Sequence, residues 1–242
     1  MTGTILNVSG ILAGGLIGLV FRRKLASSNE GFIKVGLAAF TVFYGLRLTW
    51  MSLSGPWLHG LRLLVLVMVA MMLGRFIGQL LGLQRASNSL GRFARERITE
   101  ARPGAADRFD TGFKACTILF CAAPLGILGS VVDGLSLSLY FYPLAIKAVI
   151  DGLASMGLAQ VFGAGVVVSA LPVLVLQGTL SLVSARELEP FLNGHDLLAP
   201  VNATAGLLIF CVALVMLGLK RIALADYLPS LIIAPLLAFW LH

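Results

Sequence analysis

The sequence is poor in charge. Of its 242 residues only 12% are Asp, Glu, Lys or Arg, while 58% are hydrophobic. A soluble domain carries about 25% charged residues, and a water-soluble fold of this length would be left with large apolar patches. Disorder is excluded by the same numbers, since it requires low hydrophobicity and high charge. Cysteine and histidine are scarce too, at three each. Cys116, Cys121 and Cys211 lie inside apolar runs and form no C-x-x-C pair, so the sequence predicts no metal site and no cofactor. It holds no H-E-x-x-H, no G-x-S-x-G and no phosphate-binding loop. No histidine falls inside an apolar run to act as a general base. The expectation is a non-enzymatic protein, with an intramembrane enzyme as the alternative.

What remains is apolar sequence in long runs, with a mean hydropathy of +0.95. A bilayer-spanning helix needs about 20 apolar residues, and only helices or closed barrels satisfy their backbone in lipid. The runs are continuous rather than alternating, which predicts an all-α, polytopic transmembrane bundle. Eight segments are expected: 4–21, 31–51, 61–83, 111–131, two within 139–184, 202–219 and 227–241. The pair within 139–184 divides near Gly157–Gly165, where a broken or re-entrant helix is an alternative to two full spans. The whole chain, 1–242, reads as one integral-membrane domain.

The net charge is +7. Its distribution points to the membrane and away from nucleic acid, because no basic surface interleaved with aromatics is present. The basic residues collect in three gaps: Arg22, Arg23 and Lys24 in 22–30; Arg85, Arg92, Arg95, Arg97, Arg102 and Arg108 in 84–110; Lys220 and Arg221 in 219–226. With eight spans all three gaps fall on one side, which the positive-inside rule makes the cytoplasm. Both termini are then expected outside. No cleavable signal is expected, since the first segment lacks a basic stretch before it. Within 84–110, Leu90, Phe93, Ala94 and Ile98 recur at helical spacing among Arg92, Arg95 and Glu96. This predicts an amphipathic connector at the cytoplasmic interface, with an orienting and lipid-headgroup role.

Several polar residues sit inside the apolar runs. Gly10, Gly14 and Gly18 form a small-residue face on the first segment, the kind that lets helices approach closely in lipid. Asn7 lies one turn back on nearly the same face, where interhelical bonding and ligand binding are both open. Lys147 and Asp151 are four residues apart and face the same way, with Tyr140 seven residues before Lys147. A charge at mid-bilayer costs roughly 2.5–3.5 kcal/mol on insertion scales. A self-neutralising pair that steadies the bundle and a step in an ion or solute pathway both fit. Asp133, before Gly134, reads either as a pathway residue or as a solvated carboxylate in a turn. Gln177-Gly178 follows Pro172, and Pro124 is flanked by Gly126 and Gly129. Each proline offers a packing kink or a freed carbonyl near the midplane. Gly14–Gly18 and Gly74–Gly78, followed by Gly31-Phe32 and Gly112-Phe113, suggest either a duplicated two-helix unit or chance likeness between apolar helices.

The run Gly3-Thr4-Ile5-Leu6-Asn7 followed by Gly14-Gly15 and Gly18 is similar to domain-of-unknown-function family 554, bacterial multi-pass inner-membrane proteins. Asp133-Gly134, Lys147 with Asp151-Gly152, Gln177-Gly178, Leu228-Pro229 and Ala234-Pro235 extend the resemblance over nearly the whole chain. It implies a bacterial plasma-membrane location and a single all-membrane domain. It carries over no catalytic residues. Ala122-Ala123-Pro124 departs from the pattern, which has a glycine before the proline, and leaves the geometry of that kink open. Asn7, Asp133, Lys147, Asp151 and Gln177 are therefore the residues expected to line a pathway if the protein moves an ion or small solute. The alternative is a non-transporting scaffold or partner-binding protein. A homodimer is expected on size, since eight short helices make a thin bundle.

Overall fold

A computed structural model describes residues 1–21, 27–53, 55–100, 108–135 and 140–241. Arg22, Arg23, Lys24 and Arg102 of the basic gaps, and position 139 at the start of the fifth expected segment, lie outside the described residues. Among those described, every regular element is helical: α1 (Thr2–Val20), α2 (Ser27–Ser52), α3 (Trp57–Leu81), α4 (Leu83–Glu100), α5 (Arg108–Cys121), α6 (Pro124–Gly134), α7 (Tyr142–Phe162), α8 (Gly165–Val168), α9 (Ala170–Val183), a π turn at Ser184–Leu188, α10 (Glu189–Gly194), α11 (Leu198–Met216), α12 (Leu224–Tyr227) and α13 (Ser230–Leu241). Seven helical stretches are long and apolar enough to cross a bilayer. The bent pair α5 and α6 makes an eighth if it counts as one span.

The outside of these helices is apolar. Phe43, Trp50, Met72, Leu80 and Trp240 are all exposed, whereas Asn7, Lys147, Asp151 and Gln177 are buried. That is the reverse of a soluble protein and is what a lipid solvent demands. The chain is a multi-pass membrane protein.

The helices form two compact units: Met1–Ala26 with Ser87–Ala185, and Ser27–Ala86 with Arg186–His242. In unit 1, α1 packs along the length of α7. A Cβ at Gly10, Gly14 or Gly18 would run into the backbone carbonyls of Ala148, Gly152 and Met156 respectively. Glycines four apart on one helix thus meet residues four apart on the other, and the bare backbone sets how closely the axes approach. In unit 2, α2 packs on α11 and α3 on α12 and α13. Gly45 and Gly206 abut one another, while Gly74 abuts Ser230 and Gly78 abuts Asp226.

The fifth and sixth expected segments divide within the expected window, at Gly163, and each is long and apolar enough to span a bilayer by itself. There, α7 runs unbroken through Gly157 to Phe162. Gly163 then turns the chain at φ 72°, a conformation open to glycine, and a second apolar stretch runs from Gly165 to Gly194. The broken helix lies at one of the two marked prolines, between Cys121 and Pro124, where α5 and α6 meet at a bend of 61°. Pro124 is the first residue of α6. It has no N–H to donate and its ring excludes the helical conformation from Ala123, which is extended at φ −68°, ψ 123°. The glycine absent before this proline is thus not needed for a sharp break. Pro172, by contrast, sits in the first turn of α9, where its missing N–H is tolerated.

Helix α4 turns away from α3 at Gly82, which is left-handed at φ 67°, ψ 28°. Its Ala94 is buried and Ile98 packs against the core, whereas Leu90 and Phe93 remain exposed beside Arg92.

Candidate functional site

The interior of unit 1 holds a charged pair on one turn of helix. Lys147 Nζ donates to Asp151 Oδ2, and both side chains are buried. The i, i+4 spacing puts them on a common face of α7, and the bare contact with α1 brings that face close to Asn7. The Asn7 amide nitrogen donates to Gln177 Oε1 of α9 at 3.1 Å and also interacts with the Asp151 carboxyl group. Four of the five residues expected to line a pathway are therefore gathered in one place, from three helices.

The break in the fourth span borders the same place. A Cβ on Gly126, in the first turn of α6, would lie 2.9 Å from Lys147 Cε and 3.3 Å from Gln177 Nε2. The ring of Phe120, near the end of α5, has its centroid 5.9 Å from Lys147 Nζ. The ammonium thus lies beside the carbonyl end of α5, whose partial negative charge favours a cation. At the break, Gly126 N–H donates to Ala123 O at 2.8 Å instead of reaching Ala122. The Ala122 carbonyl is taken up by Ser87 Oγ of α4 at 3.2 Å. A helix split beside buried polar side chains can offer backbone groups as well as side chains to a site.

Asp133 is not in this cluster. It is not a solvated turn residue either. Its buried carboxylate accepts from Gly3 N–H at 2.9 Å, Thr4 N–H at 3.1 Å, Thr4 Oγ1 at 3.2 Å and Ser181 Oγ at 3.0 Å. It serves the first turn of α1 as an N-cap supplied from elsewhere in the chain, meeting the unsatisfied N–H groups and the positive end of the helix dipole.

Residues not singled out from the sequence also belong here. Cys121 lies within electrostatic reach of Lys147 and Asp151. Ser155, one turn beyond Asp151 on α7, and Thr117, one turn before Cys121 on α5, have buried hydroxyls with no hydrogen-bond partner among the described residues. The i+4 spacing from Asp151 to Ser155 was visible in the sequence; nothing marked Thr117. Asn7 Oδ1 and Gln177 Nε2 are likewise buried and unpartnered. The cluster therefore offers a carboxylate, an ammonium, a free amide acceptor and a free amide donor. Among the described residues, no three His, Cys, Asp or Glu side chains converge to hold a metal ion.

No solved structure matches this chain. It is 29% identical over 243 residues to the uncharacterized membrane protein YdfK of Bacillus subtilis, covering 100% of this chain and 97% of that protein. To the uncharacterized protein YqgA of Escherichia coli it is 27% identical over 248 residues, covering 98% of this chain and 97% of the relative. The profile of the family described as "Protein of unknown function (DUF554)" matches residues 2–239. From its first helix to its last, the chain belongs to the DUF554 family.

Proposed function

We propose that this protein is a transporter or channel for an ion or small solute, with Lys147, Asp151, Asn7 and Gln177 holding the permeant. The observation that carries this reading is a charged pair buried beside a broken helix. Burying both charges costs several kcal/mol, and hydrophobic residues of similar size would often be more stable. Lys147 and Asp151 bond to each other within α7, and only Asp151 also reaches a neighbouring helix, through Asn7, so bundle stability alone is a weak account of the pair. The unused hydrogen-bonding capacity of Asn7 Oδ1 and Gln177 Nε2 supports the same reading, since purely structural polar groups are normally satisfied. Asp151 binds a cation or proton, and Lys147 tunes that site or fills it when it is empty. We place the protein in a bacterial plasma membrane, with α4 and Lys220–Arg221 on the cytoplasmic side and both termini outside.

A second reading, a non-transporting scaffold, is favoured by α4, which leaves Leu90 and Phe93 exposed beside its arginines. One experiment separates the two. The thermal stability of the purified protein is measured against a panel of ions, pH values and small anions, for wild type and Asp151→Asn. A guest at 100 times its Kd adds about 2.7 kcal/mol to the folded state, or roughly 5–10 °C in Tm for a chain of this size. An ion that raises the wild-type Tm and leaves Asp151→Asn unmoved supports transport and identifies the solute for flux assays. No shift with any solute, in a folded protein, transfers the reading to the scaffold.

A further inference from the structure

At the end of α7 away from Tyr142, unit 1 has a cleft of about 410 Å³ whose lining includes Gly18, Arg108, Ala159, Gln160 and Phe162. Helix α5 runs antiparallel to α7 here. Gly112, near its start, meets Phe162, since a Cβ on Gly112 would lie 2.5 Å from Phe162 Cβ. Phe120, near its other end, meets Lys147. At about 1.5 Å rise per residue, Thr117 lies roughly 8 Å and Ser155 roughly 10 Å from the Gly112–Phe162 contact, with Asp151 about 16 Å away. Two buried, unpartnered hydroxyls therefore stand at similar depth, between the cleft and the charged pair, on two helices that pack together. Buried hydroxyls without a protein partner are rare. By helical rise, Phe162 stands on the cleft side of both. It borders the cleft on one side and on the other packs in an apolar cluster with Cys116, Phe120 and Ala159.

We propose that the inner half of the pathway runs from the cleft at Arg108 and Gln160, past Ser155 and Thr117, to Lys147 and Asp151, and that Phe162 is its gate. This rests on the transport reading and adds its route and its point of closure. In the closed form Phe162 and Ala159 seal the hydroxyl layer from the cleft. Turning the Phe162 ring out of the cluster joins the two, and water or a polar solute then reaches Asp151 along hydrogen-bonding groups on both walls. The cleft lies at the Arg108 end of α5, which continues from the basic segment, so the gate closes the cytoplasmic side.

The test is the reactivity of Ser155→Cys in a background of Cys116→Ala, Cys121→Ser and Cys211→Ala. A membrane-impermeant methanethiosulfonate is applied to sealed vesicles of each orientation. Val149→Cys, on the exposed side of α7, reports background labelling from lipid. A closed gate leaves the open form populated at roughly 0.1–10%, so Phe162→Ala should raise the labelling rate of Ser155→Cys about tenfold or more, and only from the cytoplasmic side. Phe162→Leu, which keeps more of the packing, should give a smaller rise if Phe162→Ala does not remain monodisperse. Labelling no faster than Val149→Cys from either side, with or without the Phe162 change, overturns the route. Flux with Ser155 silent overturns the route but keeps transport; labelling that responds to Phe162, with no flux of any stabilising solute, keeps the route and removes transport.

Discussion

In unit 2 four buried serine and threonine hydroxyls bond within their own helices. Thr41 donates to Leu37 O, Thr49 to Gly45 O, Ser52 to Leu48 O and Thr204 to Pro200 O, each one turn back. Its buried carboxylate, Asp226, accepts from Gln84 N–H at 2.8 Å, and Gln84 Oε1 in turn accepts from Ala225 N–H at 3.0 Å. Two helix starts thereby cap each other. In unit 1 Ser130 and Ser169 also bond one turn back, to Gly126 O and Val166 O, but other polar groups reach across helices: Asn7 to Gln177, Ser181 to Ser130 and Asp133, Ser87 to Ala122. Both units use glycine to bring helices together, but only unit 1 places a charged pair behind the contact. A hydroxyl bonded to its own helix can enter lipid without a partner and specifies nothing further. Polar groups bonded between helices exist only once the helices meet, and there they form a site.

The contrast breaks most sharply at the ion pair. Lys147→Met leaves Asp151 buried without its ion partner and should cost about 3–5 kcal/mol in detergent unfolding. Lys147→Met combined with Asp151→Leu should recover most of that loss while abolishing any ion-dependent stabilisation. A double variant as unstable as the single one would make the pair structural and erase the difference between the units. Asp133→Asn comes next. It removes the charge that caps α1 and should lower stability by about 2 kcal/mol, with ion-dependent stabilisation intact. Loss of that stabilisation would return Asp133 to the pathway. The smallest effect is expected in unit 2, where Thr49→Val or Thr204→Val should cost under about 1 kcal/mol and leave ion dependence untouched. A larger cost would show that these hydroxyls bond between helices as well, as the 3.4 Å approach of Thr49 Oγ1 to Ala203 O allows.

The membrane helices were legible because length and hydropathy are local properties. The glycine face of α1 was legible too, since spacing by four needs only one helix. What each helix-breaking signal does was not. Pro124 and the glycines of 157–165 are both ordinary signals of this kind; Pro124 bends one apolar stretch by 61°, whereas Gly163 ends α7 and separates two. The role of Asp133 could not be read because its partners lie 129 and 130 residues away. The Asn7–Gln177 bond spans 170 residues, so the two were visible as polar residues but not as a pair. Asp226 is the same case, its partner Gln84 lying 142 residues away. The likeness between the first and third segments has a counterpart in packing, since the glycines of α1 and of α3 each press on a later helix. Its extension to the second and fourth segments stops at Pro124, because α2 runs unbroken.

The contact between α1 and α7 also sets an order of assembly. The first helix enters the bilayer with its glycine face bare and its opening N–H groups uncapped. Both needs are met by residues made well over a hundred positions later, Asp133 and the Ala148–Met156 stretch of α7. At about 5–20 residues per second the ribosome leaves α1 waiting roughly 6–30 s for these partners. During that interval its small-residue face must be met by something other than α7.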